Sequence, residues 1–195
     1  MYIDFHTHRP VGVGVVTPRT YGIHPWDAEK AAVPPVDDAV WRMVEVIGEC
    51  GLDRVRGASM EKQMAVFEQQ IAIAARLDKP LVIHCVRAYD LLLSLRKRWP
   101  MGRWVVHGFQ GGVALVQQLA ERQIGVSVGA RILRPDSGKL RSAVVALGSG
   151  GFLLETDDSG VAIEDIYATT AAVLGVSLRQ LQDDIAERYS QLLAH

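Results

Sequence analysis

Short apolar runs that end in a side chain able to bind a metal ion recur along the sequence. They constrain the fold more than any other feature. Residues 2–5 lead into His6 and His8, the weaker run 19–22 into His24, and 44–48 into Glu49. Residues 80–83 lead into His84, 104–106 into His107, and 151–154 toward Asp157, whereas 125–128 has no such residue at its end. The length and Val/Ile content of these runs fit buried parallel strands. Helical patterns lie between them, and strand alternating with helix means a parallel sheet clad in helices. In a parallel barrel the C-terminal ends of the strands converge on one face, where active sites lie. The expected fold class is therefore α/β, a TIM-like (β/α) barrel, formed by a single domain over residues 1–195.

The helices are legible in part. Met60, Met64, Phe67, Ile71, Ala74 and Ala75 recur at steps of three and four and predict one apolar face. Residues 89–98, 113–122 and 136–147 predict three further helices. A helix over 163–174 is stopped by Gly175, and Ser177 with Gln180 three residues on predicts a capping box for the last one.

His6 and His8 are two apart in an extended segment, which puts both imidazoles on one side, as one metal ion requires. Either histidine alone reads as a polar residue at a loop start. Five of the six histidines follow strand-like runs, however, and two carboxylates occupy equivalent places; the sixth histidine, His195, is terminal. Histidine and carboxylate ligands without thiolates suit Zn, Mn or Mg. His6, His8, Glu49, His84, His107 and Asp157 exceed what one catalytic ion with an open position needs, and two divalent ions sharing a carboxylate explain the count better. Cys50 and Cys85 each neighbour a candidate ligand. Adjacent strand residues face opposite ways, so both read as buried small hydrophobes.

These residues stand in motifs that resemble those of the TatD-type metal-dependent deoxyribonucleases of the amidohydrolase superfamily. Asp4-Phe5-His6-Thr7-His8, Tyr21-Gly22-Ile23-His24-Pro25, Ile47-Gly48-Glu49-Cys50-Gly51-Leu52-Asp53, Lys79-Pro80-Leu81-Val82-Ile83-His84, His107-Gly108-Phe109-Gln110-Gly111 and Leu154-Glu155-Thr156-Asp157 come in the family's order. The resemblance implies that His6, His8 and Asp157 hold one ion, that His84 and His107 hold the other, and that Glu49 bridges them. It also implies that Asp157 takes the proton of the attacking water. His24, Asp53 and Arg87 would lie near the substrate or support the ligands, and Gly48 and Gly51 would let the backbone turn around Glu49.

Departures from the family pattern mark the substrate side. Only fifteen residues separate His8 from His24, too few for a helix and a second full strand. The barrel is therefore expected to be incomplete or distorted at its first βα unit, with residues 11–16 at most a stub. The apolar residues of 26–41 are expected to cover the bare wall beside the first strand. Arg87 is displaced by one position from the family's His-x-Arg, and Ser159 stands where the family has proline.

A net charge of -1 makes no strong case for bulk nucleic-acid binding, although an enzyme acting on nucleic-acid ends can be near neutral. The expected substrate is a DNA end or a small phosphodiester, cleaved by a water activated between two ions. A small amide, lactone or phosphoester, or a metal-binding chain without activity, are the alternatives. No apolar run reaches the ~20 residues of a membrane span, and the N-terminus lacks the pattern of a signal peptide, so a cytoplasmic protein is the default expectation.

Overall fold

The computed structural model describes residues 1–9 and 12–194. In chain order its elements are β1 (Tyr2–Ile3), β2 (Val15–Val16), β3 (Thr20–Tyr21), α1 (Val40–Met43), β4 (Val46–Asp53), α2 (Met60–Leu77), β5 (Leu81–Val86), α3 (Tyr89–Arg98), β6 (Trp104–Val106), α4 (Val113–Glu121), β7 (Ile124–Val128), a 3-10 turn (Ala130–Leu133), α5 (Gly138–Leu147), β8 (Leu153–Leu154), α6 (Ile163–Leu174) and α7 (Leu178–Leu193). The chain divides into two compact units. No helix among the described residues is long and apolar enough to cross a membrane.

One unit comprises Met1–Thr17, His107–Glu121 and Gly125–Ala194. Here β1 pairs in parallel with β2, Tyr2 opposite Val15, and β7 pairs in parallel with β8. The stub expected in 11–16 is thus a two-residue strand; Val11 lies outside the described residues. β1 is covered by α7, and by Tyr167 of α6, whose hydroxyl accepts from Ile3 N and donates to Ile3 O, both at 3.1 Å. Burial raises the Tyr167 pKa, which keeps that hydroxyl protonated. α6 ends at Gly175 in the left-handed region, φ 69°. Ser177 caps α7 by accepting from Gln180 N at 3.1 Å. The reciprocal half of the capping box is not the bond Gln180 makes, because its side chain donates instead to Asp184 at 2.6 Å, one turn on.

The other unit comprises Pro18–Val106 and Arg122–Ile124. Within it β3, β4, β5 and β6 pair in parallel in that order. Apolar residues of segment 26–41 pack within this unit. Tyr21, Ala31 and Val33 surround buried Ile23, Ala28 and Val66, and Trp41 is buried edge-on against Tyr21 at 5.4 Å.

α2 also differs from its expected face. Phe67, Ile71 and Ala74 are buried as predicted, but Met60 and Met64 are half-buried and Ala75 is exposed. Gln63 and Gln70 lie inside in their place. Gln70 accepts from Ile23 N at 2.7 Å and donates to Ile23 O at 3.1 Å, the bonds a neighbouring strand would otherwise supply. Arg96, near the end of α3, is buried over the Trp104 ring and donates to the carbonyls of Arg122, Trp99 and Met101. Both cysteines are buried, and burial pushes the Cys85 thiol up to about 12, so it stays a packing group.

Candidate metal centre

In the first unit the chain beyond β1 runs beside the segment that follows β8. Phe5 N donates to Leu154 O, Asp157 N to His6 O, and His8 N to Asp157 O, and Thr7 and Asp157 form a parallel bridge. This pairing fixes the spacing of the side chains. His6 Nε2 and His8 Nε2 lie 3.9 and 3.4 Å from Asp157 Oδ1. The His6 ring is 4.8 Å from that of His8 and 4.5 Å from that of His107. His6 is buried and His8 is exposed, so the cluster opens outward. Asp157 sits at φ 52°, a conformation that disfavours side chains and is held here by its two backbone hydrogen bonds.

Two further carboxylates brace this cluster. Asp4 accepts from Thr156 N at 2.9 Å and lies 2.6 Å from the Thr156 hydroxyl. Burial raises the Asp4 pKa against the lowering effect of those bonds. Glu155 is fully buried, accepts from Gly108 N at 2.6 Å and from the Ser127 hydroxyl, and lies 3.5 Å from His107 Nδ1. Burial pushes its pKa up, but His107, His6 and Ser127 outweigh that effect and hold it below the usual range. An ionised carboxylate against the second ring nitrogen of a histidine is the usual support for a metal ligand. Beside Asp157 opens a cavity of about 190 Å³ lined by Gly108, Gln110, Arg131 and Ser159 among others.

In the second unit, Glu49 sits at an irregularity of β4, where the register against β5 shifts between Ile47 and Cys50. A β-bulge of this kind re-aims a side chain. Gly48 and Gly51 flank it, at φ 132° and 134°. Added Cβ atoms would come within 2.3 Å of Val82 O and 2.1 Å of His84 O. The two glycines therefore admit a close approach of strands rather than a turn.

Around Glu49 the side chains converge. His24 Nε2 lies 3.1 Å from Glu49 Oε1 and His84 Nδ1 lies 2.8 Å from the same oxygen. His84 Nε2 is 3.1 Å from Asp53 Oδ2, which also accepts from Trp26 Nε1 at 2.8 Å. Asp53 Oδ1 accepts from Val55 N and Arg56 N. Burial raises the Asp53 pKa, yet the bonds from Trp26, Val55, His84 and Arg56 together bring it below the usual carboxylate value. Arg87 lies one residue past β5, exposed, at φ 53°, with its carbonyl accepting from Arg54 at 2.9 Å.

The donor sets fit a divalent cation. His6, His8 and Asp157 present ligand atoms within 4.8 Å of one another, as do His107, Glu155 and Asp157, and His24, Glu49 and His84. An ionised Asp53 favours the tautomer of His84 with a proton on Nε2. In that tautomer Nδ1 would turn a lone pair toward the Glu49 carboxylate 2.8 Å away, an arrangement that a cation fits. Glu155 and Trp26 were not singled out from sequence. Glu155 had a signal, since it stands two residues before Asp157, the spacing of His6 and His8. Trp26 had none.

A family model described as TatD related DNase matches residues 16–161. The chain belongs to this family. The TatD of Klebsiella pneumoniae, named a 3'-5' ssDNA/RNA exonuclease, is 34% identical over 147 residues, covering 71% of this chain and 56% of the relative. The chain thus spans about half the length of that TatD relative. Escherichia coli YjjV, named an uncharacterized metal-dependent hydrolase, is 29% identical over 183 residues, covering 85% of this chain and 71% of YjjV. The crystal structure of E. coli YjjV matches with a TM-score of 0.78 at 24% identity, over 91% of this chain and 76% of that one. A TatD family hydrolase from Entamoeba histolytica matches with a TM-score of 0.73 at 19% identity, over 91% and 74%. The fold of this TatD-family chain is accordingly of the TIM-like (β/α)-barrel class, and it is incomplete at its first βα unit, where a two-residue strand and no helix stand among the described residues.

Proposed function

We propose that the chain is a divalent-metal-dependent phosphodiesterase that trims nucleic-acid ends, with two ions of the Mg, Mn or Zn type. The observation that carries this reading is that each unit has a cluster of histidine and carboxylate donors within ligand distance, carried in or beside parallel strands. On this reading His6, His8 and Asp157 hold one ion, and Glu49 and His84 contribute to the other. The resemblance implies that His107 would be a metal ligand as well. When bound, such ions lower the pKa of a water and offset charge developing on a phosphate.

The chain's own groups supply the rest. Asp157 turns Oδ1 to His6 and His8. Its Oδ2 accepts the proton of the water whose oxygen attacks phosphorus, the ester P–O bond breaks, and that proton passes from Asp157 to the departing oxygen, which restores the carboxylate. Asp53 holds His84 through Nε2, and Glu155 holds His107 through Nδ1; both are positioning residues. His24 beside Glu49 and the exposed Arg87 would meet the substrate, Arg87 as a phosphate contact. The names of the TatD relatives support nucleic acid as the substrate.

A second reading is a hydrolase of a small amide, lactone or phosphoester. The cavity of about 190 Å³ beside Asp157 favours it, because that space is smaller than a drug-sized ligand needs.

The test combines metal analysis with a substrate panel of a single-stranded oligonucleotide, bis(p-nitrophenyl) phosphate, a lactone and a cyclic amide, each with Mg, Mn and Zn. Phosphodiester cleavage is expected. Asp157→Asn should lower turnover by roughly 10²–10⁴-fold while much metal binding remains, and Glu49→Ala should lose activity together with bound metal. Turnover of only the lactone or amide would establish the second reading. Tight metal binding with no turnover would leave a metal-binding chain without activity.

A further inference from the structure

Trp26 is the one large aromatic side chain exposed among the described residues, at 44%, and it adjoins the His24–Glu49–His84 cluster. Its ring is 4.7 Å from that of His24 and 6.0 Å from that of His84. The exposed indole is nevertheless held firmly. Nε1 donates to Asp53 Oδ2 at 2.8 Å, and the backbone N donates to His24 Nδ1 at 3.1 Å. The Arg56 guanidinium lies over the ring, 5.1 Å from its centroid. Gly57, at φ 94°, lets the loop that carries Arg56 approach, since a Cβ there would meet Pro25 O at 2.7 Å. A large aromatic fixed in orientation, open to solvent and flanked by a cation is the combination by which proteins hold single-stranded bases.

We propose that Trp26, with Arg56 beside it, is a stacking platform for a base of single-stranded nucleic acid. The proposal rests on the phosphodiesterase reading above and narrows its substrate. A base stacks on the exposed indole opposite Arg56, whose guanidinium lies over the ring, and the guanidinium meets the adjoining phosphate. The indole already has its orientation fixed by Asp53, so little conformational freedom is lost when the base arrives. Because every base offers a π-face, the platform is tolerant of sequence. Because a paired base must first leave its stack, it favours single strands over duplexes.

The experiment compares two short phosphorothioate-linked strands of equal length, one bearing bases and one abasic, titrated into the metal-loaded protein and read by fluorescence anisotropy. The wild type should prefer the base-bearing strand roughly 5- to 150-fold, the range of single-base stacking on an aromatic side chain. In Trp26→Ala the preference should collapse to near unity, and Trp26→Phe should keep most of it. Should Trp26→Ala fail to fold by circular dichroism, intrinsic fluorescence decides. Quenching of tryptophan emission by the base-bearing strand should be present in the wild type and absent in Trp26→Phe.

A preference that survives Trp26→Ala, quenching that persists in Trp26→Phe, or a wild type that binds both strands equally would overturn the platform. Hydrolysis of bis(p-nitrophenyl) phosphate reports on the phosphodiesterase reading separately. Hydrolysis without base preference defeats the platform alone. Base preference without hydrolysis of any phosphodiester defeats that reading and leaves the platform supported.

Discussion

Replacing Gln63 with Ala should destabilise the protein far more than its place on a helix would imply. Its Oε1 accepts from Asp53 N at 2.7 Å, while Nε2 lies 3.0 Å from Asp53 O, 3.2 Å from Arg56 O and 2.8 Å from Ala58 O. Arg56 is exposed and Ala58 half-buried, so water can replace the bonds to their carbonyls. Asp53 is 3% exposed, so its amide and carbonyl would be left unsatisfied inside the protein. Each such group costs about 1–3 kcal/mol, which makes the expected loss roughly 2–6 kcal/mol. Against a typical total of about 5–15 kcal/mol that is a large fraction. The assay is urea unfolding followed by far-UV circular dichroism, with Gln69→Ala, an exposed neighbour on α2, as the control. For a slope of about 2–3 kcal/mol per M, the Gln63→Ala midpoint should fall by about 0.7–3 M, while the control stays within about 0.5 kcal/mol of wild type. Equal midpoints for the two variants would refute the argument that this amide carries the end of β4.

Removal and return of metal gives a second measurement. Zn at one hundred times its Kd should stabilise the chelator-stripped protein by about 2.7 kcal/mol. For a chain of this size that raises Tm by roughly 5–11 °C, and an unchanged Tm would count against the donor clusters as metal sites. Gly175→Ala isolates a backbone effect, because an added Cβ there meets nothing within 4 Å and φ is 69°. It should destabilise by about 1–2 kcal/mol, read as a lower urea midpoint, and a neutral result would show that the end of α6 relaxes out of the left-handed region.

The candidate donor positions were legible in the sequence because metal chemistry restricts them to a few residue types and strand geometry restricts where those fall. His6 and His8 share a side because extended chain alternates, and the structure adds Asp157 to them through backbone pairing between segments about 150 residues apart. The β2 stub was legible from the short interval between His8 and His24, since chain length bounds what can be built. The stop at Gly175 and the cap at Ser177 were legible because both depend on a few adjacent residues.

The buried glutamines were not. An apolar-periodicity argument turns Met60 and Met64 inward, whereas the structure buries Gln63 and Gln70 in their place. A primary amide can be buried only where it meets unpaired backbone groups. For Gln70 those belong to Ile23, 47 residues away, and nothing local announces them. The roles of Asp53 and Trp26 are of the same kind. Asp53 reads as one polar residue beyond a strand until tertiary structure sets His84 and the Trp26 indole against a single oxygen. Residue identity and spacing therefore determined which side chains were candidates to hold a metal and roughly where the strands lie, although β4 and β5 run on past Glu49 and His84. Only the folded chain decided which carboxylate orients which histidine, because that choice depends on distances of about 3 Å between residues far apart in sequence.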